Sequence, residues 1–509
     1  MPPPSRPARI LLVGGRLLDA GGEVGTAFET AGGRITWTGT TAQARGRGAG
    51  AGVLDLAGAT VTPAFVDAHV HVTAAGLLAD GLDLTACPDA TALLDAVAAR
   101  AAARPGTLVW GHGWQDGGWA VPPRAALDRA GAGAPVYLSR VDAHSALVSS
   151  ALLDRAPGAV GAAGWTTTGA LTAEAHHHVR RAALAAIDGR TRDAAQTAFL
   201  ADAARRGVGV VHECAGPDIS GADDLGALLA RPGVEVVGYW GEAVRTAADA
   251  RDLIVRTGAR GLAGDLFVDG SLGSRTAALR APYRDAQGCT GNRYLDPDTV
   301  AAHVAACTAA GIQAGFHVIG DAAADALIEG LAAAGEPAAL RARAHRVEHL
   351  EMIDAGQAAA LAARGVVASV QPAFDAAWGG PDGLYAARLG HRRAEPMNPL
   401  ALLRDAGVVL ALGSDAPVTP VDPWGALRAA THHRTARSAV RPADALAAHT
   451  VGGYRAAGDV SPLAGRLLRG AAASYAVWDG GGVLDGEPDD PACLRTVHRG
   501  EVLHDLLQH

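Results

Sequence analysis

The residues most able to do chemistry begin with two histidines in the run Asp67-Ala68-His69-Val70-His71. In an extended strand, residues two apart share a face, so His69 and His71 present two imidazoles to one point. That pair alone suits either a metal ion or ordinary core packing, because histidine serves both. Three further positions change the balance: His317 in GFHVIGD (315–321), His349 at the end of RVEH (346–349), and Asp415 in GSD (413–415). Each closes a short β-rich run. Four imidazoles and one carboxylate suit a divalent ion such as Zn²⁺ that keeps an open position for water. Such an ion lowers the pKa of its water to about 7, leaving Asp415 as the natural general base or, alternatively, only a ligand.

The elements that must position these residues are legible as alternating short β-rich runs and long Ala/Leu/Arg stretches of helical period. Eight runs are predicted as core strands: 64–71, 208–213, 235–240, 265–269, 312–318, 345–349, 366–371 and 408–414. Eight βα units predict an α/β fold, a (β/α)8 TIM barrel over 62–449, with its chemistry at the C-terminal strand ends. Residues 73–200 are too long for one βα connection and are predicted to form an inserted α/β subdomain after the first strand. Short strands at 1–61 and 450–509 predict a composite β-sandwich built from both termini.

Composition removes several chemistries. The chain has 509 residues and 49% hydrophobic content, enough for a large core, and its net charge of -8 gives no general polyanion surface. All 44 basic residues are Arg and none is Lys, which excludes a phosphate-gripping GK[ST] loop, Schiff-base chemistry and pyridoxal phosphate anchoring. Five scattered cysteines without a CxxC pair read as reduced thiols of a cytoplasmic protein. Neither a signal segment nor a membrane span is expected, and no nucleic-acid partner.

Several longer stretches carry a resemblance: TPAFVDAHVHV (62–72), PVYLSRVDAHSALVSSALL (135–153), FVDGSLGSRTAAL (267–279), GFHVIGDAA (315–323), HRVEHLEMI (345–353) and LGSDAPVTPVDPW (412–424). With them the chain resembles the amidohydrolase superfamily, and within it the YtcJ-like branch that includes N-substituted formamide deformylases. The resemblance implies a barrel with a composite β-sandwich, hydrolysis of an amide or related bond, and metal ligands His69, His71, His317, His349 and Asp415. Members holding two metals commonly bridge them with a carboxylated Lys at the end of the fourth strand, and that slot falls on Asp265. Asp cannot be carboxylated and is shorter. One ion per chain, with Asp265 behind the ligands rather than on the ion, is therefore expected, the alternative being a short bridging carboxylate from a shifted backbone.

Other candidates line up behind these. Asp269 and Arg275 follow the fourth strand as substrate-binding candidates; Arg275 would hold a substrate carboxylate or carbonyl, or pair with Asp269. His144 sits in the insertion, able to cap the site or to serve structure. Trp114, with Trp110, Trp119 and Trp165, could wall an apolar pocket for an N-substituent or form the insertion's own core. His212, Glu213 and Cys214 end the second strand and suit either pocket lining or inter-strand structure. Consecutive His176, His177 and His178 read as a solvated helix face, and His345 and the pair His303/Cys307 as buried structural groups. The leading expectation is a metal-dependent hydrolase of a small-molecule amide or formamide. A deaminase or cyclic amide or lactone hydrolase with the same site, and an inactive ligand-binding barrel, stand as alternatives. Oligomeric state is open, a homodimer included.

Overall fold

The computed structural model describes residues 9–115 and 118–507. Eight parallel strands run β1 (Phe65–Val70), β2 (Val208–Ala215), β3 (Glu235–Trp240), β4 (Gly261–Leu262), β5 (Gln313–Val318), β6 (Arg346–His349), β7 (Val367–Val370) and β8 (Val409–Leu412), paired in that order. Six of the eight are buried along their whole length, as expected of a parallel sheet with helices outside and side chains filling the inside. The helices between them carry ordinary stop and start signals. In Pro297–Ala310, Asp296 accepts from Thr299 N, Pro297 occupies the first turn and Gly311 ends the helix at φ +79°.

The barrel closes between its first and last strands. Val70 bridges Ala416, His71 N donates to Ala416 O at 2.8 Å, and Asp415 N donates to His69 O at 2.8 Å. Below this seam, the Asp67 carboxylate accepts from Ser414 N at 2.8 Å and His69 N at 3.3 Å. Burial, against these bonds, raises Asp67 to about 6.

The sequence places a strand at 265–269, whereas the fourth strand lies earlier, at Gly261–Leu262. Gly264 then turns into the left-handed region at φ +79°, which ends the regular strand. The chain rejoins only through a bridge between Phe267 and His317. Gly241, after β3, lets this detour come close: a Cβ there would lie 2.7 Å from Asp265 O.

Both termini build the sandwich. One sheet pairs Arg34–Gly39, Ala27–Ala31, Arg9–Val13 and Gly52–Asp55. The other pairs C-terminal strands Glu501–Asp505, Cys493–His498 and Tyr475–Trp478 with N-terminal Thr60–Pro63, Arg16–Asp19 and Gly22–Gly25. Leu12, Leu17, Phe28, Val61, Tyr475 and Val477 form the core between them. Glu235 at the start of β3 ties this unit to the barrel, 2.7 Å from His498 Nε2 and 2.8 Å from Arg499 Nη2.

The segment after β1 holds a mixed five-stranded sheet ordered Leu171–Thr172, Ser145–Val148, Val136–Arg140, Val109–Trp114, Leu82–Asp83. Helices Ala173–Ala185 and Gly189–Arg205 lead from it back to β2. No described helix is long and apolar enough to cross a membrane.

Candidate metal centre

The strand ends converge. His69 Nε2 lies 3.5 Å from Asp415 Oδ1 and 3.6 Å from Asp265 Oδ1. His71 Nε2 lies 3.3 Å from Asp415 Oδ1 and 3.3 Å from Asp265 Oδ2. His317 Nδ1 lies 3.6 Å from Asp265 Oδ1, and the His317 and His349 rings are 4.4 Å apart. His69, Asp265 and His349 form one group able to share an ion, and His69, His71 and Asp415 another.

These separations are wide for hydrogen bonds. Two ligand atoms each about 2.1 Å from one ion stand roughly 3.0 to 3.5 Å apart, which matches. His69 Nε2, His317 Nδ1 and Asp265 Oδ1 are buried with no hydrogen-bond partner. Orphaned polar atoms converging in this way cost free energy unless a cation satisfies them, so the donor set fits a divalent metal. Charge agrees. Burial opposes protonation of His69 and His71, yet Asp415 and Glu348 raise the first, and Asp265 and Asp415 raise the second well above the usual imidazole range. A site whose carboxylates draw protons onto its imidazoles is one where a metal can replace those protons.

The ligands are held from behind. Glu348 Oε2 accepts from His69 Nδ1 at 2.9 Å, which fixes the tautomer that leaves Nε2 facing the cluster. Arg346 Nε and Nη2 donate to Glu348 at 2.7 and 2.8 Å, Nη2 reaches Ala68 O at 2.6 Å, and the guanidinium lies 4.2 Å above the Tyr239 ring. Burial pushes Glu348 up, but Arg346 and His69 hold it far below the usual carboxylate range. His349 Nδ1 is 2.8 Å from Gln371 Oε1, leaving Nε2 for the site. His349 and Asp415 sit at φ +71° and +56°, strained turns at the strand ends that aim both side chains inward.

Asp265 lies among the converging donor atoms, in one group with His69 and His349 that could hold an ion. The shifted backbone described above supplies the reach that its short side chain lacks.

His144 lines the same cavity, its ring 5.1 Å from that of His317, and burial with the nearby His317 lowers it to about 3. Asp269 lies elsewhere. Its oxygens accept from Ala278 N, Ile319 N and Gly320 N at 2.8, 3.0 and 2.8 Å, so its place is to fix the loop after β4 rather than to bind substrate. Among the described residues Arg275 pairs with Asp285 at 2.8 Å and not with Asp269. Trp114 is buried in the insertion's core, its Nε1 donating to Leu138 O at 2.8 Å; of the four tryptophans Trp110 lines the cavity.

Other histidines divide. His345 accepts from Ala314 N and reaches Thr308 Oγ1, and His303 accepts from Val244 N and reaches Leu262 O, both structural. The solvated reading of 176–178 is overturned at two positions. His176 is buried and hydrogen-bonded to Tyr137 OH at 2.9 Å, and His177 stacks on Phe267 at 5.6 Å. Cys214 is near His69 and Glu348, but Arg346 already occupies Glu348 and burial raises the Cys214 thiol well above its usual range, so this group does not suit a metal. Sequence reasoning missed the outer wall: Phe374 and Trp378, on the helix after β7, with Tyr385 and Glu351. Burial raises Glu351 to about 7.

A barrel with a His/Asp cluster at its C-terminal rim, flanked by a two-terminus sandwich, defines the architecture of metal-dependent hydrolases. A solved metal-dependent hydrolase from Pyrococcus furiosus superposes with a TM-score of 0.72 at 24% identity, covering 93% of this chain and all (100%) of that one. The chain belongs to the amidohydrolase family, whose Amidohydro_3 model matches residues 52–504. It is 25% identical to the protein YtcJ of Bacillus subtilis (strain 168), named as an amidohydrolase, over 89% of this chain and 90% of that protein. It is also 31% identical to the N-substituted formamide deformylase of Arthrobacter pascens over 146 residues, 27% of each chain.

Proposed function

We propose that the protein hydrolyses the C–N bond of a small-molecule amide, with formamides as the specific version, and holds one divalent ion, Zn²⁺ or a similar metal. The convergence of buried, partnerless His69 Nε2, His317 Nδ1 and Asp265 Oδ1 beside Asp415 carries this reading. His69, His71, Asp265 and Asp415 would hold the ion, with His317 and His349 beside it. A cation held there supplies Lewis acidity toward a scissile carbonyl and brings the pKa of an adjacent water to about 7.

The chain's own groups do the rest. Burial opposes ionisation of Asp415, but His69 and His71 keep it below the usual carboxylate range, so it is a carboxylate at neutral pH. Its Oδ1 faces the two imidazoles, which leaves Oδ2 to accept the proton of the attacking water and then deliver it to the leaving nitrogen. His144 is neutral at that pH and can donate one ring N–H to the developing oxyanion. Phe374 and Trp378 present an apolar face that excludes water from one side.

The test is a panel of formamides, acetamides, N-acyl amino acids and cyclic ureas assayed with Zn²⁺, Mn²⁺ and Fe²⁺. Turnover of a linear amide, abolished in Asp415→Asn while metal content is largely kept, supports the reading. Turnover retained in Asp415→Asn rejects that residue as the base. Hydrolysis confined to cyclic ureas, or no hydrolysis by metal-loaded protein, rejects the linear-amide assignment.

A further inference from the structure

The cavity at the candidate metal centre is lined by a side-chain cation that the proposed chemistry does not use. Arg180 lies on the helix Ala173–Ala185 and lines the same cavity as His71, Asp265, His317 and Asp415. Its Nε and Nη2 are buried and make no hydrogen bond. Arg140, which lines the adjoining pocket, is matched by Asp142 at 3.0 Å, and Asp142 in turn takes Ser271 and Ser274 hydroxyls at 2.6 and 2.8 Å. Among the described residues, no carboxylate forms an ion pair with Arg180.

Its surroundings are kept neutral. His176, one helical turn away, is held well below the usual imidazole range by burial and then by Arg180, and His177 is lowered to about 4 by the same two causes. Tyr137, hydrogen-bonded to His176, is raised by burial to about 12. Arg180 is only partly buried as a whole, but its Nε and Nη2, shut in beside these rings, have lost water and gained no partner. Among the described residues, the cavity's other carboxylates, Asp265 and Asp415, face the histidines of the candidate metal centre.

The position is suited to reading a substrate. His177 stacks on Phe267 at 5.6 Å, and Phe267 meets the His317 ring at 4.8 Å, so one aromatic layer separates the Arg180 helix from the metal centre. A molecule with its scissile amide at the metal centre would reach Arg180 with a group a few bonds away. The planar fork of a guanidinium suits a carboxylate. A single arginine among neutral rings suits one negative charge better than the two of a phosphate monoester.

We propose that Arg180 binds a substrate carboxylate, so that the preferred substrates are amides carrying one remote carboxylate, the class of N-acyl amino acids. This assignment rests on the amidohydrolase reading for where the amide sits, but the binding step can be measured without turnover. Metal-loaded protein would be titrated calorimetrically with the N-acetyl derivatives of phenylalanine, leucine and alanine, each as the free acid and as the neutral carboxamide. Wild type is expected to favour at least one free acid over its carboxamide by tenfold or more. That preference should collapse in Arg180→Met and return in part in Arg180→Lys, with circular dichroism and metal content confirming that each variant folds. No preference in wild type, or one unchanged in a folded Arg180→Met, overturns the proposal; the latter places the carboxylate on the metal instead. Binding that depends on Arg180 without hydrolysis of any amide keeps the proposal and rejects the hydrolase reading.

Discussion

Glu348 Oε2 stands 2.9 Å from His69 Nδ1 while Arg346 holds the same carboxylate from the far side, so a fully buried ion pair sets the orientation of a metal-facing imidazole. Removing the acceptor charge should loosen both tautomer and ring position. Glu348→Gln is expected to weaken metal binding about 10- to 100-fold, read by competition against a chromophoric chelator. It should also cost about 3 to 5 kcal/mol of stability by leaving Arg346 buried without its counter-charge, read by denaturant unfolding. Unchanged affinity in a folded variant would show that His69 needs no such support.

The placement of Asp265 among the candidate donors makes a prediction about metal content. Protein purified without chelator should carry one tightly held divalent ion per chain by elemental analysis, and Asp265→Asn should lower the affinity by tenfold or more. Chelation should lower Tm in wild type, because a ligand bound only by the folded state stabilises it by mass action. A stoichiometry of two would assign the second ion to Asp265 with His317 and His349.

Gly241 controls the same carboxylate through the backbone. A Cβ at this position would lie 2.7 Å from Asp265 O and 2.8 Å from Asp265 C, so Gly241→Ala must push that segment outward. The expected cost is about 1 to 3 kcal/mol, with weaker metal binding although no ligand has been altered. Metal affinity equal to wild type would mean that the segment yields without moving the side chain.

The tie between barrel and sandwich should be acid-sensitive. The hydrogen bond to His498 lowers Glu235 below its ordinary value of 4.5, against burial and with help from Arg499. A depressed carboxylate contributes stability that is complete above its unfolded pKa and lost as pH falls through the folded one. The Glu235 side chain is 34% exposed, so solvent screening limits the gain to about 1 kcal/mol. Glu235→Gln should therefore melt below wild type near neutral pH, and the gap should close on acidification below about 4.5. A gap that widens in acid would reverse the assignment.

How much of this was legible depended on how local the signal was. His69 and His71 declared themselves through strand period, and His317, His349 and Asp415 through their positions at the ends of β-rich runs. The predicted fourth strand failed because 265–269 reads as β-rich, while the left-handed turn at Gly264 takes it out of the sheet. The same turn brings Asp265, short as it is, within 3.3 to 3.6 Å of His69, His71 and His317. Asp269 looked like a pocket residue, yet three backbone N–H groups brought together by the fold claim it. The sequence marked 176–178 only as a solvated helix face and did not mark Arg180, because the groups that meet this helix, Tyr137 of the insertion sheet and Phe267 after β4, are distant in sequence. Only three-dimensional folding reveals that His176 meets Tyr137 and His177 meets Phe267.

The seam where the barrel closes has a consequence for assembly. His69 and His71 come from the first strand, Asp415 follows the last, and the bond from Ser414 N to Asp67 spans 347 residues of sequence. During synthesis the two imidazoles are made early, but the carboxylate that completes their set emerges only when the barrel is nearly finished. A truncated or half-folded chain lacks part of this donor set, so tight binding of the proposed ion would be a checkpoint that only a closed ring can pass.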